Sequence, residues 1–170
     1  MENELNPYNP IKVLILSDRL IDNAEELADF LDSAGIEVIA LVSNKEQALQ
    51  YCNQKIDFLI IAGYLKIQQS YQIIAEYRKR NISFIAVHWA ILDSLITYYC
   101  KMYDIPLQFE RTLPISEFVA FLKHHYSVEK SSKIKEEKKK GYDYAREHKK
   151  KHQRKILELI RKTIQLHIIH

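Results

Sequence analysis

The stretch Ile56 to Lys66, IDFLIIAGYLK, is the first place in this 170-residue chain to look for chemistry. Its apolar run predicts a buried strand followed by a loop. In an open parallel sheet, ligands and reacting groups lie just beyond the carboxyl end of such a strand. The residue at that end is Ala62, followed by Gly63. Because a methyl group can neither attack a substrate nor accept a proton, the position expected to carry chemistry carries none.

Histidines supply the next candidates. His88 follows an apolar run, and since imidazole titrates near neutral pH it could sense pH. We favour the alternative, a packed and hydrogen-bonded residue. His148 and His152 have the i,i+4 spacing that can bind a metal on one helix face, but the lysines at 149–151 repel a cation. A solvated face is therefore preferred, and we predict no metal site and no cofactor.

The bulk composition indicates a cytoplasmic protein. Cys52 and Cys100 stand far apart and form no CxxC pair, which is typical of a reducing compartment. No apolar run is long enough to span a membrane. The first residues, MENELNPYNP, lack the basic-then-apolar order of a signal peptide.

Five apolar runs and five helical patterns alternate along the chain. The predicted strands are Ile11–Asp18, Ile36–Ser43, the stretch described above, Ile82–His88 and Ile105–Glu110. The predicted helices are 20–35, 45–54, 71–80, Ala90–Tyr103 and Ile115–His125. Gly35 suits a left-handed helix stop, and Ser43 or Asn44 can cap the second helix.

This alternation predicts the fold class, an α/β domain with a doubly wound (βα)5 parallel sheet of the flavodoxin type and a helical extension. We expect a polar lead at 1–10, the α/β domain at 11–126 and a basic helical tail at 127–170. The strand order does not follow from the sequence. The chain has no GxGxxG and no GxxxxGKS motif, so a nucleotide-binding site would lack its phosphate cradle.

The strand ends VLILSD, DFLIIA and FIAVH, together with FERTLP, show a resemblance to the response-regulator receiver domain over roughly Ile11–Tyr126. In that family two acidic residues hold Mg²⁺, an aspartate accepts the phosphoryl group, and a Thr or Ser and a Lys contact it. The corresponding residues here are Ser17, Asp18, Ala62, His88 and Arg111, with Gln108 at the aromatic switch position.

These departures imply a degenerate receiver without phosphoryl chemistry. Ala62 offers no oxygen, and a single carboxylate makes a poor Mg²⁺ site. One alternative is that Arg111 pairs with Asp18 and so closes the old pocket with a fixed internal bond. The other is that these are ordinary polar residues at strand ends, which we prefer.

The fourth and fifth helices carry more apolar residues than one buried stripe requires. Excess apolar surface usually marks a partner site, and receivers commonly dimerise through this face. The predicted interface residues on these helices are Leu95, Tyr99, Met102, Phe118 and Phe121. A second subunit or the tail would cover them.

The tail differs from the rest of the chain in charge. From Ser127 to His170 there are 14 basic and 6 acidic residues, net +8, whereas the remainder has 11 basic and 16 acidic residues, net −5. Before Gly141 we expect a solvated helix or linker, and after it one helix. Its basic patch is Lys149, Lys150, Lys151, Arg154 and Lys155, and its apolar stripe includes Leu157, Ile160 and Ile164. Dimerisation ranks first for this helix, nucleic-acid binding second and membrane-surface contact third.

Three functional hypotheses remain. The leading one is a non-catalytic, phosphorylation-independent regulatory protein, in two-component signalling or transcription regulation, that acts as a homodimer and contacts another protein. The second is a small α/β ligand-binding domain or enzyme with its site at the strand ends. The third is a nucleic-acid-binding module that uses the basic tail.

Overall fold

A computed structural model describes residues 10–17, 24–63 and 67–168 of the chain. The helical side chains at 67, 68, 142, 145, 152, 156, 157 and 159–168 are not part of the description. The chain divides into two compact units, Met1–Tyr126 and Ser127–His170.

The first unit contains one sheet of five parallel strands. They are β1 (Ile11–Ser17), β2 (Ile36–Val42), β3 (Phe58–Ala62), β4 (Ile85–Ala90) and β5 (Leu107–Glu110). Their order across the sheet is β2-β1-β3-β4-β5. This is the doubly wound order in which the chain reverses direction between β1 and β3. The predicted fold class is confirmed, and the strand order is added to it.

Helices connect successive strands. They are α1 (Ala24–Ser33), α2 (Lys45–Leu49), α3 (Ile67–Lys79), α4 (Ser94–Met102) and α5 (Ile115–Ile168). The predicted signals at two helix ends are confirmed. Gly35 has φ +79° after α1, in the left-handed region, and Asn44 caps α2 by accepting a 2.9 Å bond from the backbone N–H of Gln47.

The sheet has an apolar core on each face because its strands alternate side chains between the two faces. One core, the α1/α5 core, contains Ile15, Ile60 and Trp89 together with residues of α1 and α5. The other, the α3/α4 core, contains Leu16 and Ile61 together with residues of α2, α3 and α4. Each strand position therefore determines which set of helices its side chain meets.

Strand β4 starts and ends later than predicted. The expected range was Ile82–His88, whereas the observed strand is Ile85–Ala90 and so includes Trp89. Helix α4 begins at Ser94 rather than at Ala90, since Asp93 provides its N-cap. The apolar run simply continues from strand into helix, so hydrophobicity alone did not show the boundary.

Helix α2 is shorter than predicted and α5 is much longer. Helix α2 ends at Leu49, and turns follow it, where a helix to residue 54 was expected. The fifth helix was expected to end at His125, with either a solvated helix or a linker before Gly141. Helix α5 is instead continuous from Ile115 to Ile168, which agrees with the first of these alternatives. Since neither glycine nor proline occurs between 126 and 140, nothing in the sequence interrupts the helix there.

Candidate functional site

The carboxyl edge of the sheet holds a row of three side chains on adjacent strands. Ser17 at the end of β1 pairs with Ala62 at the end of β3, and Ala62 pairs with Trp89 of β4. Ala62 and Trp89 both belong to the α1/α5 core, and Ser17 follows the alternation of Val13 and Ile15 onto the same face. We call this set the edge row.

Ala62 is fully buried in the middle of the edge row. Its neighbours across the sheet are a hydroxyl and an indole. Neither is a carboxylate, so the described part of the edge row contains no acid that could accept a phosphoryl group or hold Mg²⁺. Asp18, the remaining acid expected at this edge, lies outside the described residues.

Two polar atoms of the edge row have no hydrogen-bond partner among the described residues. They are the Oγ atom of Ser17 and the Nε1 atom of Trp89. Both residues are buried, with 0% and 4% of their surface exposed. Buried polar groups in folded proteins are nearly always paired, so each unpaired one requires an explanation.

Arg111 lies at the same edge, directly after β5. Its guanidinium carbon is 5.7 Å from the centre of the Trp89 ring, a distance at which the cation and the ring attract each other. Its backbone N–H donates a 3.0 Å bond to the carbonyl of Ala90. The predicted pair of Arg111 with Asp18 involves a residue outside the description and stays a prediction.

His88 lies on the opposite face of the sheet from the edge row. The resemblance placed it where receivers have a Thr or Ser, but the register pairs Ala62 with Trp89, and His88 is paired with Ile61. His88 is buried, and its Nε2 atom is 3.0 Å from the carbonyl oxygen of Gly63. It is therefore the packed, hydrogen-bonded residue that we preferred, and it faces the α3/α4 core.

The protonation of His88 follows from its partners. A carbonyl oxygen only accepts, so Nε2 carries the proton and donates to Gly63. The Nδ1 atom then accepts from the thiol of Cys100, with Sγ at 3.4 Å. Burial lowers the pKa of His88 and raises the pKa of the Cys100 thiol to about 11. Both side chains are neutral near pH 7, which excludes a thiolate–imidazolium nucleophile.

Glu110, which the sequence did not single out, organises the loops at this edge. Its Oε2 atom accepts a 2.9 Å bond from the backbone N–H of Leu92, and its Oε1 atom accepts bonds from the N–H and hydroxyl of Thr112. These bonds lower the pKa of Glu110. The carboxylate thereby ties the start of the α4 segment to the end of β5. Gln108, the predicted switch residue, is half-buried and pairs with His88 in the sheet.

Helix α4 presents an exposed apolar surface. Leu95, Tyr98 and Met102 are 49%, 58% and 50% exposed, and their i, i+3, i+7 spacing places them on one face. We call these three residues the α4 stripe. Ile91 and Leu92, just before the helix, are also exposed.

The other predicted interface residues of the first unit are less exposed to solvent than the α4 stripe. Tyr99 is half-buried and stacks on Tyr71 and Tyr103. Phe121 is half-buried and packs against Phe109. Phe118 is fully buried between Trp89 and Phe109, so its inclusion in a partner surface was wrong. Phe118 lies on the inward face of α5 and belongs to the α1/α5 core of the domain.

The described part of the second unit, from Ser127 to Ile168, is helical throughout and belongs to α5. All five predicted basic residues are exposed on it: Lys149, Lys150, Lys151, Arg154 and Lys155. Tyr144 is 72% exposed beside the ring of His148, and these residues border a shallow, open groove along the helix. One helix alone does not enclose a small ligand. The side chains of Leu157, Ile160 and Ile164 are outside the description.

Within ranges 10–17, 24–63 and 67–168, no three His, Cys, Asp or Glu residues lie close enough to hold a metal ion. Among those same residues, no helix combines the length and the hydrophobicity needed to cross a bilayer.

Comparisons with known proteins support the fold. No family model matches the sequence, and no curated protein matches it. Solved structures do match. A CheY-like response-regulator receiver domain from Methanospirillum hungatei JF-1 has a TM-score of 0.61 at 11% identity, covering 73% of this chain and 99% of the other.

Two further structures agree with this result. A two-component response regulator from Clostridium difficile has a TM-score of 0.55 at 19% identity, covering 67% of this chain and 93% of the other. A LuxR-family DNA-binding response regulator from Staphylococcus aureus has a TM-score of 0.57 at 12% identity, covering 68% and 98%. The α/β unit therefore has the receiver fold.

Proposed function

We propose that the protein is a non-catalytic regulatory protein that uses the receiver fold without phosphorylation and acts by contact with other proteins, as a homodimer. The observation that carries the proposal is the buried methyl group of Ala62 at the end of β3. A receiver fold without a phosphoryl acceptor at this position can still contact other proteins but cannot be phosphorylated there. Its setting would be signalling or transcription regulation.

Mass spectrometry of the intact protein tests whether it can be phosphorylated. Incubation of the protein with a small-molecule phosphodonor and Mg²⁺ should leave its intact mass unchanged, because Ala62 has no oxygen to modify. A receiver domain that retains the aspartate serves as the positive control. An acid-labile phosphoryl adduct on this protein would contradict the proposal.

The α4 stripe supports the contact surface. Three neighbouring apolar side chains, each about half exposed, are costly to leave in water, and a partner helix that covers them recovers that hydrophobic free energy. The spacing of Leu95, Tyr98 and Met102 matches the i, i+3, i+7 pattern by which helices pack against one another. A second copy of the same face is the simplest partner.

The apolar positions of the tail support the same proposal. Leu157, Ile160 and Ile164 repeat at i, i+3 and i+7 within α5, which is helical through Ile168. Helices with such a seam commonly pair with a second helix. In our proposal this segment adds a second contact between the two subunits.

Light scattering of the full chain tests dimerisation. The wild-type protein should be a dimer, and Leu95→Asp and Met102→Asp should each shift it toward monomer. Thr97→Asp, at an exposed position of α4 outside the stripe, is the matched control and should stay dimeric. For the tail, Ile160→Asp is compared with Glu158→Gln. A monomeric wild type, or equal effects of stripe and control variants, would contradict the proposal.

A second candidate function is nucleic-acid binding by the tail. Five exposed basic residues lie on a helix near the exposed ring of Tyr144, a combination that suits phosphates and bases. Fluorescence anisotropy with labelled duplex DNA at two salt concentrations tests it. Binding should weaken steeply with salt. The double variant Lys149→Gln, Lys150→Gln should lower the slope of log K against log salt concentration by about two, one for each lost phosphate contact. Gln153→Ala is the control, and salt-independent binding would rule this function out.

A further inference from the structure

Four side chains of the tail lie on one face of helix α5, at positions spaced i, i+4, i+7 and i+11. They are Tyr144, His148, Lys151 and Lys155, and we call them the ring–lysine face. All four are exposed, and they border the same shallow groove. At a rise of about 1.5 Å per residue the face is about 17 Å long. Two flat rings at one end and two cations at the other are therefore presented together to one partner.

The two rings of this face are open to solvent. Tyr144 is 72% exposed, the highest value among the large hydrophobic side chains that the structure describes as exposed. The centre of its ring is 6.0 Å from the centre of the His148 ring, and the two ring planes are inclined by 41°. The rings thus lie one helical turn apart without covering each other face to face. The flat surface of Tyr144 is therefore accessible to another ring that stacks on it.

The charges differ between the two ends of the face. Glu147 borders the pair of rings, whereas Lys150 and Arg154 lie beside the two lysines and border the same groove. An anionic group is therefore repelled at the ring end and attracted at the lysine end. The partner that fits this arrangement offers a flat, uncharged ring next to an anionic group. A nucleotide, with its base and its phosphate, has this composition.

The exposed rings favour a single strand over a duplex. In a duplex each base is paired and stacked between its neighbours, so a helix that lies against it meets phosphates and base edges. In a single strand the bases can stack on aromatic side chains while cations hold the backbone. Lysines alone would bind both forms through their phosphates. The rings beside them add a contact that only unpaired bases can make.

We propose that the ring–lysine face binds single-stranded nucleic acid, with a base stacked on Tyr144 and the adjoining phosphates held by Lys151 and Lys155. This inference rests on the second candidate function, nucleic-acid binding by the tail. It adds to that function the form of nucleic acid and the side chains that recognise it. It does not depend on dimerisation through α4.

Fluorescence anisotropy of the full-length protein tests the preference with two labelled probes. They are an oligothymidine of about 15 nucleotides and a thymidine–adenosine duplex of the same length. At one salt concentration the oligothymidine should bind at least about fivefold more tightly than the duplex, because only its bases can stack on the rings. Equal or tighter binding of the duplex would overturn this inference and leave the candidate function in place. No salt-sensitive binding of either probe would overturn both.

Point variants separate the ring contact from the phosphate contacts. Tyr144→Ala should weaken oligothymidine binding about tenfold and leave duplex binding unchanged, whereas Tyr144→Phe retains the ring and should bind like wild type. Lys151→Gln should weaken the binding of both probes, because it removes a phosphate contact. Gln153→Ala, exposed on the opposite side of the helix, is the control and should change neither.

The variant that decides the stacking contact is Tyr144→Ala. An equal loss of affinity for both probes, or no loss for either, would overturn the stacked base. Circular dichroism verifies that each variant keeps its helix content. If a variant loses helix, the comparison of the two probes on the wild-type protein decides alone.

Discussion

The Nδ1 atom of His88 lies 3.4 Å from the Sγ atom of Cys100, in a buried pair that joins strand β4 to helix α4. On its other side the same imidazole donates to the carbonyl of Gly63, directly after the end of β3. One side chain thus connects the loop beyond Ala62 to the helix that carries the α4 stripe. The pair is a physical link between the edge of the sheet and the proposed contact surface.

This pair predicts a loss of stability in acid. Burial lowers the pKa of His88 below its ordinary value of 6.5, so the unfolded chain binds the proton more tightly than the folded protein. The contribution of neutral His88 is complete above pH 6.5 and is lost as the pH falls from there toward the lower pKa of the folded state. The free energy of unfolding, measured with urea, should therefore fall as the pH is lowered below about 6.5.

The matched variants identify the group responsible. His88→Gln should make the fall shallower, because an amide can still donate to Gly63 but does not titrate. The pKa of His125 is also lowered, by partial burial and by the neighbouring His124. His125→Gln should remove a smaller part of the pH dependence, since that ring is only half-buried. An equal slope in wild type and His88→Gln would show that His88 does not titrate in this range.

Phe118 predicts a large stability cost when truncated. Its ring is fully buried and lies 4.9 Å from the ring of Phe109, measured between centres. Phe118→Ala should lower the free energy of unfolding by about 3–5 kcal/mol through lost burial and the cavity left behind. Phe121→Ala, at a half-buried position on the same helix, should cost less. Urea denaturation measures both, and a cost below about 1 kcal/mol for Phe118→Ala would contradict its place in the core.

We expect the N-cap residue of α4, Asp93, to contribute measurably to the stability of the protein. The Oδ1 atom of Asp93 accepts a 2.7 Å bond from the backbone N–H of Ile96. Asp93→Ala should destabilise the protein by about 1 kcal/mol, since a free amide of the first turn loses its acceptor. Asp93→Asn retains an acceptor oxygen and should stay close to wild type. Equal losses in the two variants would assign the effect to charge rather than to capping.

Two glycines predict opposite responses to alanine. Gly141 is inside α5 and an added Cβ meets nothing within 4 Å, so Gly141→Ala should stabilise the helix by up to about 1 kcal/mol. Gly35 has φ +79°, so Gly35→Ala should cost about 1–2 kcal/mol although it also has open space around it. For Gly141→Ala the measurement is helix content during heating, and for Gly35→Ala it is the free energy of unfolding in urea. A destabilised Gly141→Ala would indicate that the helix is interrupted there.

Much of the fold could be predicted because local patterns carry it. The apolar runs located all five strands, and Gly35 and Asn44 marked helix ends through backbone conformation and capping. The boundary between β4 and α4 could not be predicted, since the apolar run continues across it and only Asp93 marks the helix start. The continuity of α5 with the tail was not predicted, because a charged segment supports a helix as readily as a linker and both alternatives stayed open.

The candidate site was predicted only in part, because local patterns show where a strand ends but not how it pairs with its neighbours. Ala62 was recognised at the end of β3 from the strand pattern alone, but Trp89 was missed and His88 was assigned to the wrong face. A shift of one residue in a strand moves a side chain to the opposite face of the sheet, and sequence periodicity does not define the register to one residue. The signal available for Trp89 was that the only tryptophan of the chain follows an apolar run.

The amino-acid sequence by itself determined the fold class and the alanine at the end of β3, because both depend on residue types within one segment. Only the tertiary structure decided the strand order and the register that sets Ala62 between Ser17 and Trp89. Those features depend on pairing between segments far apart in the chain, where the free energy of packing on both faces of the sheet selects one arrangement among several that the local patterns allow.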